Sequence, residues 1–106
     1  MDAMQHFCLS AVQEDNSVII LAFGDIDFLV CEKLAEAVRD AIVFKPSACI
    51  LDFANVTFID GATVKALLQI RYNLKKLDIN FELINCSPHV IKVISVLGLQ
   101  SVLLSS

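Results

Sequence analysis

The amino-acid sequence predicts a single α/β domain, a mostly parallel mixed sheet with its first strand antiparallel and helices packed against it. Three observations carry this. The chain has 106 residues, enough for one core, whereas two cores would each approach the size at which burial barely offsets chain entropy. Short apolar runs rich in β-branched residues alternate with stretches whose apolar residues recur at helical spacing. No repeat, linker or low-complexity tract interrupts residues 1–106, so the order β-β-α-β-α-β-α-β belongs to one domain.

Residues 6–12 alternate in polarity and read as a half-buried edge strand, followed by the turn signal Glu14-Asp15-Asn16-Ser17. Val18 to Phe23 is apolar throughout and predicts a central strand covered on both faces, ending in "GDID" at 24–27. From about 29 to 44, Cys31, Leu34, Ala35, Val38, Ala41 and Ile42 recur at helical spacing, and Pro46 stops the helix. Ala48 to Phe53 predicts a second buried strand, Asn55 to Thr57 a short connection, and Phe58 to Asp60 the approach to a helix over 61–77 whose Leu67, Ile70, Leu74 and Leu77 face inward. Phe81 to Cys86 is the next strand. Ser87-Pro88 opens a helix that buries Val90, Val93, Ile94 and Leu97 and stops at Gly98. Residues 101–104 read as a short closing strand. Right-handed crossovers place the helices against the sheet, without requiring equal numbers on its faces.

Hydrophobic residues make up 57% of the chain, yet its longest uninterrupted apolar run, Val18 to Phe23, is far too short to span a bilayer of about 30 Å as a helix. The start "MDAMQHFCLS" lacks a basic region followed by a long apolar one, so no secretory signal and a cytoplasmic location are expected. The four cysteines, Cys8, Cys31, Cys49 and Cys86, form no C-x-x-C pair and are expected reduced, with no metal bound. A net charge of −4 argues against a nucleic-acid binder, which needs a basic surface to displace counterions. His6 and His89 sit in no nucleophile motif, and no Gly-rich phosphate loop appears. The expectation is a protein without enzymatic activity or cofactor.

The stretch "FIDGATVKALLQI" at 58–70 compresses a strand end, an acid and a helix start. Asp60 is placed as the N-cap, accepting a hydrogen bond from a first-turn amide. Gly61 and Ala62 leave the first-turn amides uncovered and allow another backbone to approach. Thr63 is the one hydroxyl here, read either as an exposed or locally bonded helix residue or as a phosphate carrier.

Three segments, in this order, resemble the STAS domain, and within it the bacterial anti-sigma factor antagonists. They are "GDID" at 24–27, similar to the family's Gly-x-x-Asp turn; "CILDFANVTFIDGATVKALLQI" at 49–70, similar to its strand, turn, aspartate and switch helix; and "NCSPHVIKVISVLGL" at 85–99, similar to its closing strand, helix and glycine-leucine stop. The resemblance implies a binding module that docks onto an anti-sigma factor, itself a serine/threonine kinase, and so frees a sigma factor. The net charge and the short apolar runs add the expectation of no nucleic-acid contact and no direct membrane insertion. In the family's Asp-Ser-Ser-Gly pattern the second serine accepts phosphate and the complex then breaks. Asp60 matches the aspartate, Gly61 the first serine, Ala62 the acceptor and Thr63 the glycine, so the acceptor hydroxyl is missing.

Two readings of that departure follow: constitutive binding with the switch lost, or transfer of phosphorylation to Thr63. One residue turns a helical side chain by about 100°, which disfavours the transfer. The expected partner surface comprises Asp25, Asp27, Asp60, Gly61, Ala62, Thr63 and Lys65, with the aspartates forming an acidic edge. Asp25 and Asp27 read equally well as caps of the following helix. The alternative assignment is a STAS accessory subunit of a lipid-transport ATPase complex, clamping an ATPase subunit with no switch. The apolar stretch Val96 to Leu104 offers either further core or a homodimer surface.

Overall fold

A computed structural model describes residues 7–104. Strands β1 (Phe7–Glu14), β2 (Ser17–Ile26), β3 (Ala48–Ile59) and β4 (Asn80–Ile84) form one sheet in the order β1-β2-β3-β4. β1 runs antiparallel to β2, whereas β2 with β3 and β3 with β4 are parallel. The helices are α1 (Cys31–Ala41), α2 (Gly61–Lys76), α3 (Pro88–Val96) and α4 (Gln100–Leu103), with a 3-10 turn at Ile42–Phe44 after α1. This is the predicted fold class, a single mixed-sheet α/β domain. His6, placed in the first strand by its sequence, lies outside the described residues.

The hairpin between β1 and β2 closes at Asp15, whose φ of 55° is left-handed backbone that aspartate tolerates. β2 is central, as predicted, but its burial alternates: Val18, Ile20 and Ala22 are buried while Ile19, Leu21 and Phe23 are half-covered. Register puts Val18 and Ile20 beside Cys49 and Leu51 of β3, with Leu83 of β4 beyond. That face joins Leu34 and Val38 of α1, Val64, Leu67, Ile70 and Leu74 of α2, and Val90 and Ile94 of α3 in one core. The expected double coverage fails because the buried helix faces meet this side of the sheet.

Three further expectations are corrected. β3 runs unbroken through Asn55 to Thr57, because register shifts opposite Leu21 to Asp25 keep it paired while its polar residues point outward. Leu77 and Leu97 are exposed rather than buried, since each follows the last residue of its helix, and Val93 is only half-buried. The closing segment is helical. Gly98, at φ 74°, ends α3, and the amides of Leu103 and Leu104 then bond back to Leu99 and Gln100 at 2.9 and 3.0 Å. Four apolar-rich residues carry no periodicity by which a strand and a helical turn are told apart. Leu103 joins the core whereas Val96 and Val102 are exposed.

Ser87 caps α3, its Oγ accepting the Val90 amide at 3.4 Å, with Pro88 in the first turn. Ser87→Ala is expected to lower stability by about 1 kcal/mol, a fall in melting temperature of roughly 4–8 °C by circular dichroism.

Candidate functional site

Parallel pairing brings the carboxyl ends of β2 and β3 together, with Asp25 beside Phe58 and Ile26 beside Ile59. Asp60 follows β3 directly and is the N-cap of α2. Its Oδ1 accepts the Thr63 amide at 2.9 Å, and its Oδ2 accepts the Phe28 amide at 3.0 Å, from the turn between β2 and α1. One carboxylate thus fixes the start of a helix and anchors a neighbouring turn. Partial burial alone would raise its pKa. Hydrogen bonds from the Thr63 amide and hydroxyl and from the Phe28 amide outweigh that and hold it below the usual carboxylate value.

Asp27 supports the same turn. Its Oδ1 accepts the amides of Leu29 and Val30 at 3.0 and 3.2 Å, and its carbonyl accepts those of Val30 and Cys31. The residue at the N-cap position of α1 is Val30, so Asp27 organises the turn before the helix rather than its end. Asp25 accepts the Thr57 hydroxyl at 2.6 Å across the strand pair. All three aspartates of the expected acidic edge are therefore engaged in hydrogen bonds within the chain.

Gly61 and Ala62 are exposed in the first turn of α2, and Lys65 is exposed one turn further on. A Cβ added at Gly61 meets nothing within 4 Å, so this position is open to approach. Thr63 differs from its expected place. It is 0% exposed, and its hydroxyl shares one proton between the Ile26 carbonyl at 2.7 Å and Asp60 Oδ1 at 2.9 Å. The bond to Ile26 joins residues 37 apart in sequence, which is neither the exposed position nor the local backbone bond expected for it.

Sequence reasoning missed the apolar part of this surface. Phe28 is 64% and Leu29 70% exposed, and Phe58 is exposed and stacked on His89 with ring centroids 5.3 Å apart. The available signal was the pair Phe28-Leu29 directly after "GDID", where two large apolar residues precede the buried stripe of α1. Cys31 Sγ lies 3.5 Å from the Phe28 carbonyl, and burial, then the charges of Asp60 and Glu32, push its thiol pKa up. Burial pushes the Cys49 and Cys86 thiols to about 11, which keeps both protonated and poor nucleophiles at neutral pH. Among the described residues no group of three His, Cys, Asp or Glu is placed to hold a metal ion, and no helix is long and apolar enough to cross a membrane.

The STAS domain family model matches residues 9–105. This chain belongs to the STAS domain family. Its fold superposes on an anti-sigma factor antagonist from Mycobacterium paratuberculosis with a TM-score of 0.83 at 20% identity, covering 97% of this chain and 87% of that one. The anti-sigma factor antagonist SpoIIAA in its unphosphorylated form gives 0.73 at 27% identity, with 94% and 87% covered. A sulfate transporter family protein from Wolinella succinogenes gives 0.74 at 23% identity, with 87% and 75% covered. No curated protein matches. The STAS domain described here therefore has the fold of the antagonists, and the carboxyl ends of β2 and β3 with the first turn of α2 form its aspartate-anchored surface.

Proposed function

We propose that this STAS domain is a regulatory binding module of the anti-sigma factor antagonist kind, docking onto an anti-sigma factor of the serine-kinase type without a phosphorylation switch. Ala62 carries this reading: it is exposed in the first turn of α2, at the family's acceptor position, and has no hydroxyl. Thr63, the other candidate acceptor, is buried with its proton already engaged. In-line phosphoryl transfer requires the hydroxyl to reach a donor, so Thr63 would have to leave the core and break its bonds to Ile26 and Asp60 first.

The proposed partner surface is Gly61, Ala62 and Lys65 together with Phe28 and Leu29. The exposed apolar pair supplies the kind of side chain that anchors interfaces. Asp27 and Asp60 act as positioning residues for the turn that presents it, and Asp25 stands at its edge through Thr57. Such a module works in the cytoplasm, where sigma factors act, and needs no catalytic group or cofactor. Likeness to the transporter protein is at the level of the fold and gives the transport ATPase assignment no added support.

The test is capture from cytosol of the source organism with the purified domain as bait, and mass spectrometry of the bound proteins and of the bait. Recovery of a small serine kinase is expected, with no phosphate on Thr63. With that kinase and ATP, Ala62→Ser is expected to gain one phosphate while the parent chain gains none. Phosphate on Thr63 would overturn the loss of the switch, and recovery of a transport ATPase subunit would overturn the antagonist assignment.

A further inference from the structure

Helices α1 and α2 lie side by side, and a cleft of about 250 Å³ between them is floored by Val38, Ile42, Ile70 and Leu74. Its two banks carry opposite charge. The exposed face of α1 bears Glu32, Lys33, Glu36, Arg39 and Asp40, of which Glu32 and Arg39 border the cleft and are tied at 2.8 Å, so acids outnumber bases on this bank by one charge. On α2 the exposed ridge bears Lys65, Gln69, Tyr72 and Lys76, and no acid occurs anywhere from Gly61 to Lys76. Lys76 Nζ sits 5.1 Å from the centre of the Tyr72 ring, which keeps that charge on the ridge. Among the described residues neither Glu36, Lys65 nor Lys76 makes an ion pair. Past the end of α1, Val43 is 68% and Phe44 77% exposed.

We propose that this face binds a second copy of the same chain. A two-fold interface must be self-complementary, and a cleft between an acidic and a basic bank meets that condition in one orientation. An axis running along the cleft sets α1 of one copy over α2 of the other, acid against base on both sides. An axis across the cleft sets acid on acid and base on base, which like-charge repulsion disfavours. The favoured axis also brings the Val43–Phe44 turns of both copies to the same end of the interface, near Tyr72 of the facing ridge. That gives these apolar side chains a cover that the monomer lacks.

The size of the face sets the strength. At 1.5 Å per residue and roughly 10 Å of width per helix, α1 and α2 present on the order of 400 Å² per copy. The total of roughly 800 Å², plus the Val43–Phe44 turn, falls below the 1,200 Å² or so of a standard stable interface. The dimer is therefore weak and dissociable, half-formed at a chain concentration on the order of 100 μM. This proposal uses the chain alone and does not rest on the partner reading above.

Sedimentation velocity from about 5 μM to about 1 mM chain tests it. The parent chain is expected to pass from monomer to dimer, with the midpoint rising about tenfold between about 50 and 500 mM NaCl. The paired change Val43→Ser with Phe44→Ser alters only exposed side chains and is expected to abolish the dimer. Glu32→Lys with Glu36→Lys makes both banks basic, and Lys65→Glu with Lys76→Glu makes both acidic. Each pair alone is expected to be monomeric, and mixing the two is expected to restore a one-to-one heterodimer. A parent chain that stays monomeric at about 1 mM would overturn the proposal, as would a dimer indifferent to both reversals or a mixture that does not pair.

Discussion

Asp60→Ala is expected to lower the unfolding free energy by about 2–3 kcal/mol, more than an ordinary cap loss. A helix cap alone contributes about 1 kcal/mol. Asp60 does more than cap α2, because Oδ2 also accepts the Phe28 amide from a turn 32 residues away and Oδ1 faces the buried Thr63 hydroxyl. Removing the carboxylate leaves the Phe28 amide and part of the Thr63 polar group without their acceptor, and an unsatisfied group costs about 1–3 kcal/mol where water cannot replace the partner. Exposure of the Phe28 turn to solvent keeps the total near the lower part of that sum. Asp60→Asn should fall between: its carbonyl can still cap α2, but its amide would face the Phe28 N–H, donor against donor. Urea unfolding with an unchanged slope is the measurement, since a change in midpoint at constant slope reports stability alone.

The same residue gives a pH dependence of definite sign. Asp60 is held below its ordinary value in the folded chain, so its stabilising contribution is present above the unfolded pKa of about 3.9 and is lost as pH falls through the lower folded value. The gap between the parent chain and Asp60→Ala should therefore be constant through neutral pH and shrink below about pH 4. A gap that widened on acidification would mean that the hydrogen bonds at Asp60 are not what stabilise the charged carboxylate.

How much of this was legible in the sequence depends on the range of each interaction. The strand and helix order as far as α3, the antiparallel first strand and the capping role of Asp60 follow from local pattern, and the structure has all three, whereas the closing segment is helical where the sequence predicts a strand. The placement of Thr63 does not, because its burial depends on the Ile26 carbonyl 37 residues away. The Phe28–Leu29 turn is likewise held by Asp60 across 32 residues, so periodicity along α1 gives no hint that it becomes an exposed apolar knob. The aspartates illustrate the difference best. Read from the chain they suggest an acidic docking edge, yet in the fold their oxygens are taken up by amides of the turn and by Thr57. Charge visible in a sequence can thus serve to shape an apolar surface.

That view makes Ala62→Asp the sharpest test of where the partner docks. The side chain at position 62 is exposed in the first turn of α2. There a carboxylate is favoured by the helix dipole by about 0.3–1 kcal/mol, against which repulsion from Asp60 acts. The two nearly cancel, so the folded chain should change in stability by less than about 0.5 kcal/mol and a loss of binding would not reflect unfolding. At a docked interface the new charge would be stripped of water beside Phe28 and Leu29 with only Lys65, one helical turn on, to offset it, and truncated or unmatched charge pairs at interfaces cost about 2–5 kcal/mol. Affinity for the captured kinase is therefore expected to fall roughly 30- to 100-fold by titration calorimetry, at the lower end of that range because Lys65 offsets part of the new charge. Ala62→Ser adds a hydroxyl without charge and, kept unphosphorylated, should lose less than about threefold. If Ala62→Asp bound like the parent chain, the first turn of α2 would lie outside the interface, and the missing hydroxyl at position 62 would have no bearing on partner release.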